Sequence, residues 1–162
     1  MTVSFILNGE DVSANVRSID RLSDILRDVF GLVGLRSDCR CGRCGRCFVF
    51  LDGRLVPSCI VPAFSVRGRE IITIEGFAQT EEYRDIAEGF KAAGVETCGF
   101  CEAPKILALA DLLERTSRPS PREILAQISA VPCRCTDPDA IVKAAQAVIE
   151  RRARRIYRRA GQ

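Results

Sequence analysis

The chain has 162 residues, with nine cysteines and no histidine or tryptophan. The absence of histidine excludes Ser-His-Asp and Cys-His catalysis, and it excludes any zinc site or Rieske centre that needs histidine ligands. Hydrophobic residues make up 47% of the chain, charged residues 28%, and the net charge is only +3, which is ordinary for a globular protein. With aromatic residues at 6%, a stacking surface for single-stranded nucleic acid is not expected.

Strands dominate the predicted structure of the first half of the chain, residues 1–77. Alternating β-branched and apolar residues predict strands at 2–7, 11–16, 48–51, 55–60 and 70–75. The pairs Asn8-Gly9 and Asp52-Gly53 predict the tight turns of two hairpins. Between the hairpins, an apolar stripe that follows Asp20 predicts a short helix capped by that residue. This half therefore reads as a small α+β domain.

The second half, residues 80–162, is predicted to be helical. Apolar residues at helical spacing predict helices at 81–93, 99–115, 121–129 and 138–159. Ser120 and Glu123 form a predicted capping box around Pro121, and Asp137 is the predicted cap of the last helix. Four helices with short connections predict a compact bundle. The boundary between the halves is expected at 76–80.

Neither a targeting signal nor a membrane span is predicted. The first twelve residues lack the basic region and the long apolar stretch of a signal peptide, and no apolar run approaches the ~18 residues that cross a bilayer. A cytoplasmic protein is therefore expected, and nine cysteines in that reducing compartment indicate metal or redox chemistry. Six arginines between 151 and 159 form a basic tail, interpreted as a subunit contact or a solvated extension rather than a nucleic-acid site.

Four cysteines of the first half follow the spacing C-x4-C-x2-C with a more distant fourth. They are Cys39, Cys44, Cys47 and Cys59. This is the plant-type spacing of a [2Fe–2S] cluster. A zinc knuckle and a pair of disulfides are the alternatives, and the cluster is favoured because this spacing is not a zinc-ribbon pattern. Arginines 36, 40, 43 and 46 surround the loop and are interpreted as a face for a partner.

The second half carries a C-x2-C pair, Cys98 and Cys101, and a C-x-C pair, Cys133 and Cys135. Each pair precedes or opens a predicted helix, so helix dipoles are expected to stabilise the thiolates. Taken alone, these four residues suit a cluster and a zinc site equally well. A thioredoxin-like motif is less favoured, because no β-α-β pattern surrounds the pair.

In this order, the two groups resemble the small iron–sulfur subunit of the molybdenum hydroxylases, the group of xanthine dehydrogenase, aldehyde oxidoreductase and carbon monoxide dehydrogenase. The resemblance extends from Val3 to about Gln146. It is carried by CGRC at 44–47, PSC at 57–59, ITIEG at 72–76, CGFC at 98–101 and CRCTD at 133–137. It implies a β-grasp plant-type ferredoxin domain at 1–77 and an all-α four-helix [2Fe–2S] domain at 80–162.

Two clusters follow from the resemblance. It assigns Cys39, Cys44, Cys47 and Cys59 to the first cluster and Cys98, Cys101, Cys133 and Cys135 to the second. In such complexes a large molybdopterin-binding subunit oxidises the substrate. Electrons then pass through both clusters to FAD on a medium subunit or to another acceptor, in a heterotrimer or a dimer of heterotrimers. The chain would thus be the electron-transfer subunit of an oxidoreductase, without catalytic residues or a substrate site of its own.

The sequence departs from the family pattern beside the second group. The family usually has Gln before CGxC, where it hydrogen-bonds the pterin; here that position is Thr97, the candidate pterin-facing residue. The usual Thr-Pro-Gly after CGxC is replaced by a sequence that begins with Glu102. These departures support an alternative, an electron carrier that is free or serves a non-molybdenum oxidoreductase. A zinc-bound structural or regulatory module is a third hypothesis.

Cys41 lies inside the first loop at a position that the plant-type spacing does not use. We interpret it as a spare thiol rather than a ligand or a redox-sensitive site. The variant Cys41→Ser is expected to keep both clusters, because all eight predicted ligands remain. Electron paramagnetic resonance (EPR) of the reduced protein checks this, and loss of the first cluster's signal would contradict the ligand assignment.

Overall fold

The computed structural model describes the backbone of residues 1–160 and the side chains of residues 1–154. The chain divides into two compact units, Met1–Gln79 and Thr80–Gln162. Much of the predicted basic tail, including residues 155, 158 and 159, lies outside the described side chains. Within the described part of the chain, no helix is both long enough and apolar enough to cross a membrane.

A five-stranded sheet forms the frame of the first unit. Its strands are β1 (Thr2–Leu7), β2 (Glu10–Asn15), β3 (Phe48–Leu51), β4 (Arg54–Pro57) and β5 (Glu70–Ile72), in the order β2-β1-β5-β3-β4. The two predicted hairpins, β1–β2 and β3–β4, are both present and antiparallel. Strand β5 joins them, parallel to β1 and antiparallel to β3. Asn8 and Asp52 adopt positive φ in the turns, as Asn-Gly and Asp-Gly turns require.

The core of this unit lies on one face of the sheet. Strand β1 buries Val3, Phe5 and Leu7 on that face, and its alternate residues are more exposed. A short helix, α1 (Leu22–Asp24), continues as a π-helical turn over Ile25–Val29 and contributes Leu22 and Leu26 to the same core. Burying these side chains gives the unit its hydrophobic stabilisation.

Three sequence expectations for this unit are corrected by the structure. Strand β4 ends at Pro57, because residues Ser58–Ile60 form a 3-10 turn that brings Cys59 inward. Strand β5 ends at Ile72, and Ile74–Phe77 form a short helix, α2. Asp20 does not cap α1, whose N-cap is Arg21; its carboxylate accepts hydrogen bonds from Arg17 instead.

A buried polar network explains why β5 stops where it does. The backbone N–H of Thr73 donates to Asn8 Oδ1 at 2.9 Å, and the Thr73 hydroxyl donates to Glu75 Oε2 at 2.6 Å. Glu75 Oε1 accepts in turn from the backbone N–H of Gly34 at 2.8 Å. Thr73 is fully buried, so these partners satisfy groups that water cannot reach. The network fixes the segment that leads to the cysteine loop.

Helices make up the second unit. They are α3 (Glu81–Ala92), α4 (Glu102–Arg115), α5 (Pro121–Ser129) and α6 (Pro138–Ala160). The predicted capping box is confirmed, since the Ser120 side chain accepts from the Glu123 N–H and the Glu123 carboxylate accepts from the Ser120 N–H. Helix α4 begins at Glu102, three residues later than predicted, because Cys101 is its N-cap.

Helices α3 and α6 approach closely at Gly89. A Cβ at this position would lie 2.3 Å from Val148 Cγ2 and 3.1 Å from the carbonyl oxygen of Ala144. The first distance is far inside van der Waals contact. The glycine therefore permits a helix packing distance that no other residue would allow without displacement.

The variant Gly89→Ala tests this packing. Alanine is the better helix former by about 1 kcal/mol, but overpacking against Val148 is expected to dominate and to lower the free energy of unfolding by about 1–3 kcal/mol. Denaturant unfolding measures the loss. In a Val148→Ala background the same substitution should cost less, and equal costs in both backgrounds would contradict the proposed contact.

Candidate metal centres

The first cysteine loop is shaped by backbone geometry. Cys47 and Cys59 are buried, Cys39 and Cys44 are half-buried, and Cys41 is exposed. Gly42 has a φ of +75°, a region that glycine adopts without strain. Its backbone N–H points inward and donates to Cys59 Sγ at 3.3 Å. Such N–H donors stabilise a thiolate and any metal centre bound to it.

Ion pairs anchor this loop. Arg40 Nη2 lies 2.6 Å from Asp24 Oδ2 at the end of α1, and the Arg40 carbonyl accepts from the Arg21 guanidinium. Arg46 Nη1 lies 3.0 Å from Asp38 Oδ2. Arg40 and Arg46 therefore have carboxylate partners within the unit, so holding the loop is part of their role, beside any contact with a partner subunit.

The thiols of the first group influence one another in two pairs, because Cys44 affects the pKa of Cys39 and Cys59 affects the pKa of Cys47. Backbone N–H groups, that of Cys41 foremost, lower the pKa of Cys39 to about 6, whereas burial raises the pKa of Cys47 to about 12. Two pairs of thiols suit a two-iron centre in which each iron takes two protein ligands.

Ser58 connects the two buried cysteines. Its hydroxyl donates to the carbonyl oxygen of Cys47 at 2.7 Å, and its backbone N–H donates to the same oxygen at 3.0 Å. Ser58 is fully buried and immediately precedes Cys59. Both bonds therefore fix the distance between the loop and the turn that carries Cys59. The sequence did not predict this role of Ser58. The only sign of it in the sequence is that Ser58 is adjacent to the predicted ligand Cys59.

The second group converges more tightly. The Sγ–Sγ distances are 3.0 Å from Cys101 to Cys133, 3.7 Å from Cys101 to Cys135 and 3.0 Å from Cys133 to Cys135. Cys98, Cys101 and Cys135 place their sulfurs within 4.8 Å of one another. All four predicted ligands of this group therefore lie together, although the two pairs are more than thirty residues apart in sequence.

Burial divides the thiols of the second group. Hydrogen bonds from Cys133 and then Thr136 lower the pKa of Cys135 to about 6. Burial raises the pKa of Cys101, which is 3% exposed at the start of α4. Cys98 and Cys135 are exposed, so the site opens at the surface of its unit. When such a thiol binds a metal ion, it loses its proton and becomes a thiolate.

Two side-chain hydrogen bonds hold the loops of this site. The Thr136 hydroxyl donates to the carbonyl oxygen of Glu96 at 2.6 Å and joins the two cysteine-bearing loops. The Thr97 hydroxyl donates to Glu102 Oε2 at 2.6 Å, across the Cys98–Cys101 turn. The candidate pterin-facing residue is thus already bonded to the other residue that departs from the family pattern, a pairing that the sequence did not predict.

Both donor sets fit an iron–sulfur centre. Each offers four thiol sulfurs, which matches the all-cysteine coordination of [2Fe–2S] clusters. The first set adds a backbone N–H to sulfur, and the second is joined by short sulfur–sulfur contacts. These residues would hold the clusters, whose contribution is reversible one-electron storage.

Comparisons with known proteins agree with these sites. A family model described as "[2Fe-2S] binding domain" matches residues 73–146. The nicotinate dehydrogenase small FeS subunit of Eubacterium barkeri is 35% identical over 151 residues, which cover 93% of this chain and 96% of that protein. The xanthine dehydrogenase iron-sulfur-binding subunit of Escherichia coli O157:H7 is 31% identical over 145 residues, covering 88% and 90%.

A solved structure extends the similarity to the fold. A chain of quinoline 2-oxidoreductase from Pseudomonas putida 86 superposes with a TM-score of 0.85 at 33% identity, covering 95% of this chain and 96% of that one. Fold and cysteine sites together define an iron–sulfur protein of the [2Fe–2S] class. The chain belongs to the family of small iron–sulfur subunits of the molybdenum hydroxylases. It is an electron-transfer subunit of an oxidoreductase, and the hypothesis of a free carrier is not favoured.

The role assigned to Ser58 can be tested with a matched pair of serine variants. Ser58→Ala removes a buried hydrogen bond and is expected to cost about 1 kcal/mol of stability and to speed the loss of iron from the first site to a chelator. Ser65→Ala is the control, because Ser65 is exposed and donates the same kind of bond, to Pro62 O at 2.7 Å. Equal iron loss in the two variants would contradict the role of Ser58.

Proposed function

We propose that the chain holds two [2Fe–2S] clusters, one in each unit, and conducts electrons out of a molybdenum site. The proposal assigns residues 1–77 as a β-grasp ferredoxin-type domain and residues 80–162 as a cluster-binding helical domain. The observation that carries it is a four-cysteine set in each unit. The sulfurs of the second set lie together, and the bond from the Gly42 N–H to Cys59 Sγ joins Cys59 to the loop that holds the other three cysteines of the first set. Four thiolates for each centre match the ligand count of the cluster.

Two one-electron centres suit the chemistry of the proposed complex. Oxidation of a substrate such as an aldehyde or an N-heterocycle releases two electrons, whereas each [2Fe–2S] cluster accepts one. The task of this chain is to hold each centre, to limit its contact with water and to set its potential through hydrogen bonds and nearby charge. In our proposal the site at Cys98, Cys101, Cys133 and Cys135 receives electrons, and the plant-type site passes them on.

The proposed partners are a large molybdopterin-binding subunit and a medium FAD-binding subunit, in a heterotrimer or its dimer in the cytoplasm. Thr97 is the proposed pterin-facing residue. Its bond to Glu102 means that the pterin would meet a hydroxyl–carboxylate pair. In the first unit, Ile60 and Phe64 are 57% and 44% exposed just after Cys59. Exposed apolar side chains beside a redox site support a surface that another subunit covers.

Purification of the tagged chain with its natural partners tests the proposal. We expect molybdenum and FAD in the complex, about four iron and four sulfide per copy of this chain, and two distinct [2Fe–2S] signals in EPR. Zinc without sulfide would contradict the redox function. A chain that carries both clusters but purifies without molybdenum or flavin would contradict the proposed partners alone.

Ligand variants assign each signal to its unit. Cys59→Ser is expected to remove one signal and Cys133→Ser the other, each with about half of the iron, because each set loses one of four thiolates. EPR and iron analysis of the two variant complexes provide the measurement. The Cys41→Ser protein serves as the control with an intact ligand set. Loss of both signals from either variant would show that the two sites do not assemble independently.

A further inference from the structure

A buried lysine lies behind the cysteine site of the second unit. Lys105 is 4% exposed, whereas the other two lysines of the chain, Lys91 and Lys143, are exposed. Its ammonium donates to the carbonyl oxygen of Val131 at 3.1 Å and to that of Ile128 at 3.5 Å. Both acceptors lie at the C-terminal end of α5, where the helix dipole is negative.

These two carbonyls do not neutralise the charge. Among the side chains that the structure describes, residues 1–154, Lys105 forms no ion pair with a carboxylate. Taking an ammonium out of water without a counter-charge is costly, and helix-end carbonyls offset that cost only in part. The geometry therefore calls for an anionic group near Lys105.

Segments that carry cysteines of the second group lie on both sides of Lys105. Its backbone N–H donates to the carbonyl oxygen of Cys101 at 3.3 Å, so it lies one helical turn beyond that ligand on α4. Val131, which accepts from its ammonium, is two residues before Cys133. That separation places the ammonium within roughly 13 Å of the Cys133 Cα. Lys105 thus connects the segments that carry three of the four ligands.

We propose that Lys105 is a positioning residue of the second cluster that also supplies the counter-charge which raises its reduction potential. This proposal rests on the proposed function, because it requires a [2Fe–2S] cluster at this site. The ammonium holds the end of α5 and thereby the approach to Cys133. Its charge favours the anionic centre, and it favours the reduced form most.

The direction of the effect follows from the charge on the centre. Two ferric ions, two sulfides and four thiolates sum to about −2, and one electron, from the molybdenum site in the proposed complex or from dithionite in vitro, takes the sum to about −3. No proton or bond is exchanged in this step. A nearby positive charge stabilises the −3 state more than the −2 state. Removing the charge must therefore make the cluster harder to reduce.

The test is an EPR-monitored redox titration of the complete complex with three variants. Lys105→Met keeps the length and removes the charge, Lys105→Arg keeps the charge, and Lys143→Met removes the same charge from an exposed position of α6. Lys105→Met is expected to lower the ratio of reduced to oxidised second cluster about tenfold at a fixed potential, or about 59 mV. In Lys105→Arg and Lys143→Met the reduction potential of the second cluster should stay near that of the unmodified protein. The potential of the first cluster serves as the internal reference.

The outcomes separate this proposal from the proposed function. A complex with both signals and an unchanged second potential in Lys105→Met overturns the role of Lys105 alone. A single [2Fe–2S] signal in the unmodified complex overturns the proposed function, and the role of Lys105 with it. Loss of the second cluster from Lys105→Met with retention in Lys105→Arg supports the proposal. Loss of the second cluster from both variants overturns the proposal, because the site would then require the shape of the lysine side chain and not its charge.

Discussion

The close approach of several cysteine sulfurs is the constraint on which both sites depend. Thiolates a few ångströms apart repel one another, and burial opposes their ionisation further. In each site the cysteines respond to this repulsion and burial differently. One less buried cysteine, Cys39 or Cys135, has its pKa lowered to about 6 by hydrogen bonds. Its buried counterpart, Cys47 or Cys101, has its pKa raised. In the proposed function iron would replace the thiol protons, and metal binding would then be coupled to the folding of each site.

The two units gather their ligands by different means. In the first, a loop between sheet strands turns through Gly42, is fixed by the Arg40–Asp24 pair, and meets the Cys59 turn through Ser58. In the second, the cysteines lie at helix beginnings, and packing between helices brings the pairs together. The first site therefore depends on local hydrogen bonds, and the second depends on tertiary packing such as that of α3 on α6 at Gly89.

Sequence patterns were most informative where local chemistry decides the structure. Asn8-Gly9 and the Ser120 capping box lie where they were predicted, because turn and cap geometry depend on a few adjacent residues. The predicted end of β5 was wrong, because the backbone N–H of Thr73 donates to Asn8, which lies sixty-five positions away in the sequence. Cysteine spacing yields the proposed ligands, but the residues that support them follow no spacing rule. Ser58 and Lys105 are recognisable only by burial and by partners that the fold supplies.

Charge around the second site shows why such supporting residues matter to the electron path. Glu102 is the first residue of α4 after Cys101 and is half-buried, and Lys105, three residues further along the helix, is buried. The carboxylate is held by Thr97 and the ammonium by the end of α5, so neither charge is free to move away. For the proposed cluster, a fixed anion near the centre would oppose its reduction and a fixed cation would favour it. The balance of these two charges would then help to set its reduction potential, although neither residue is a proposed ligand.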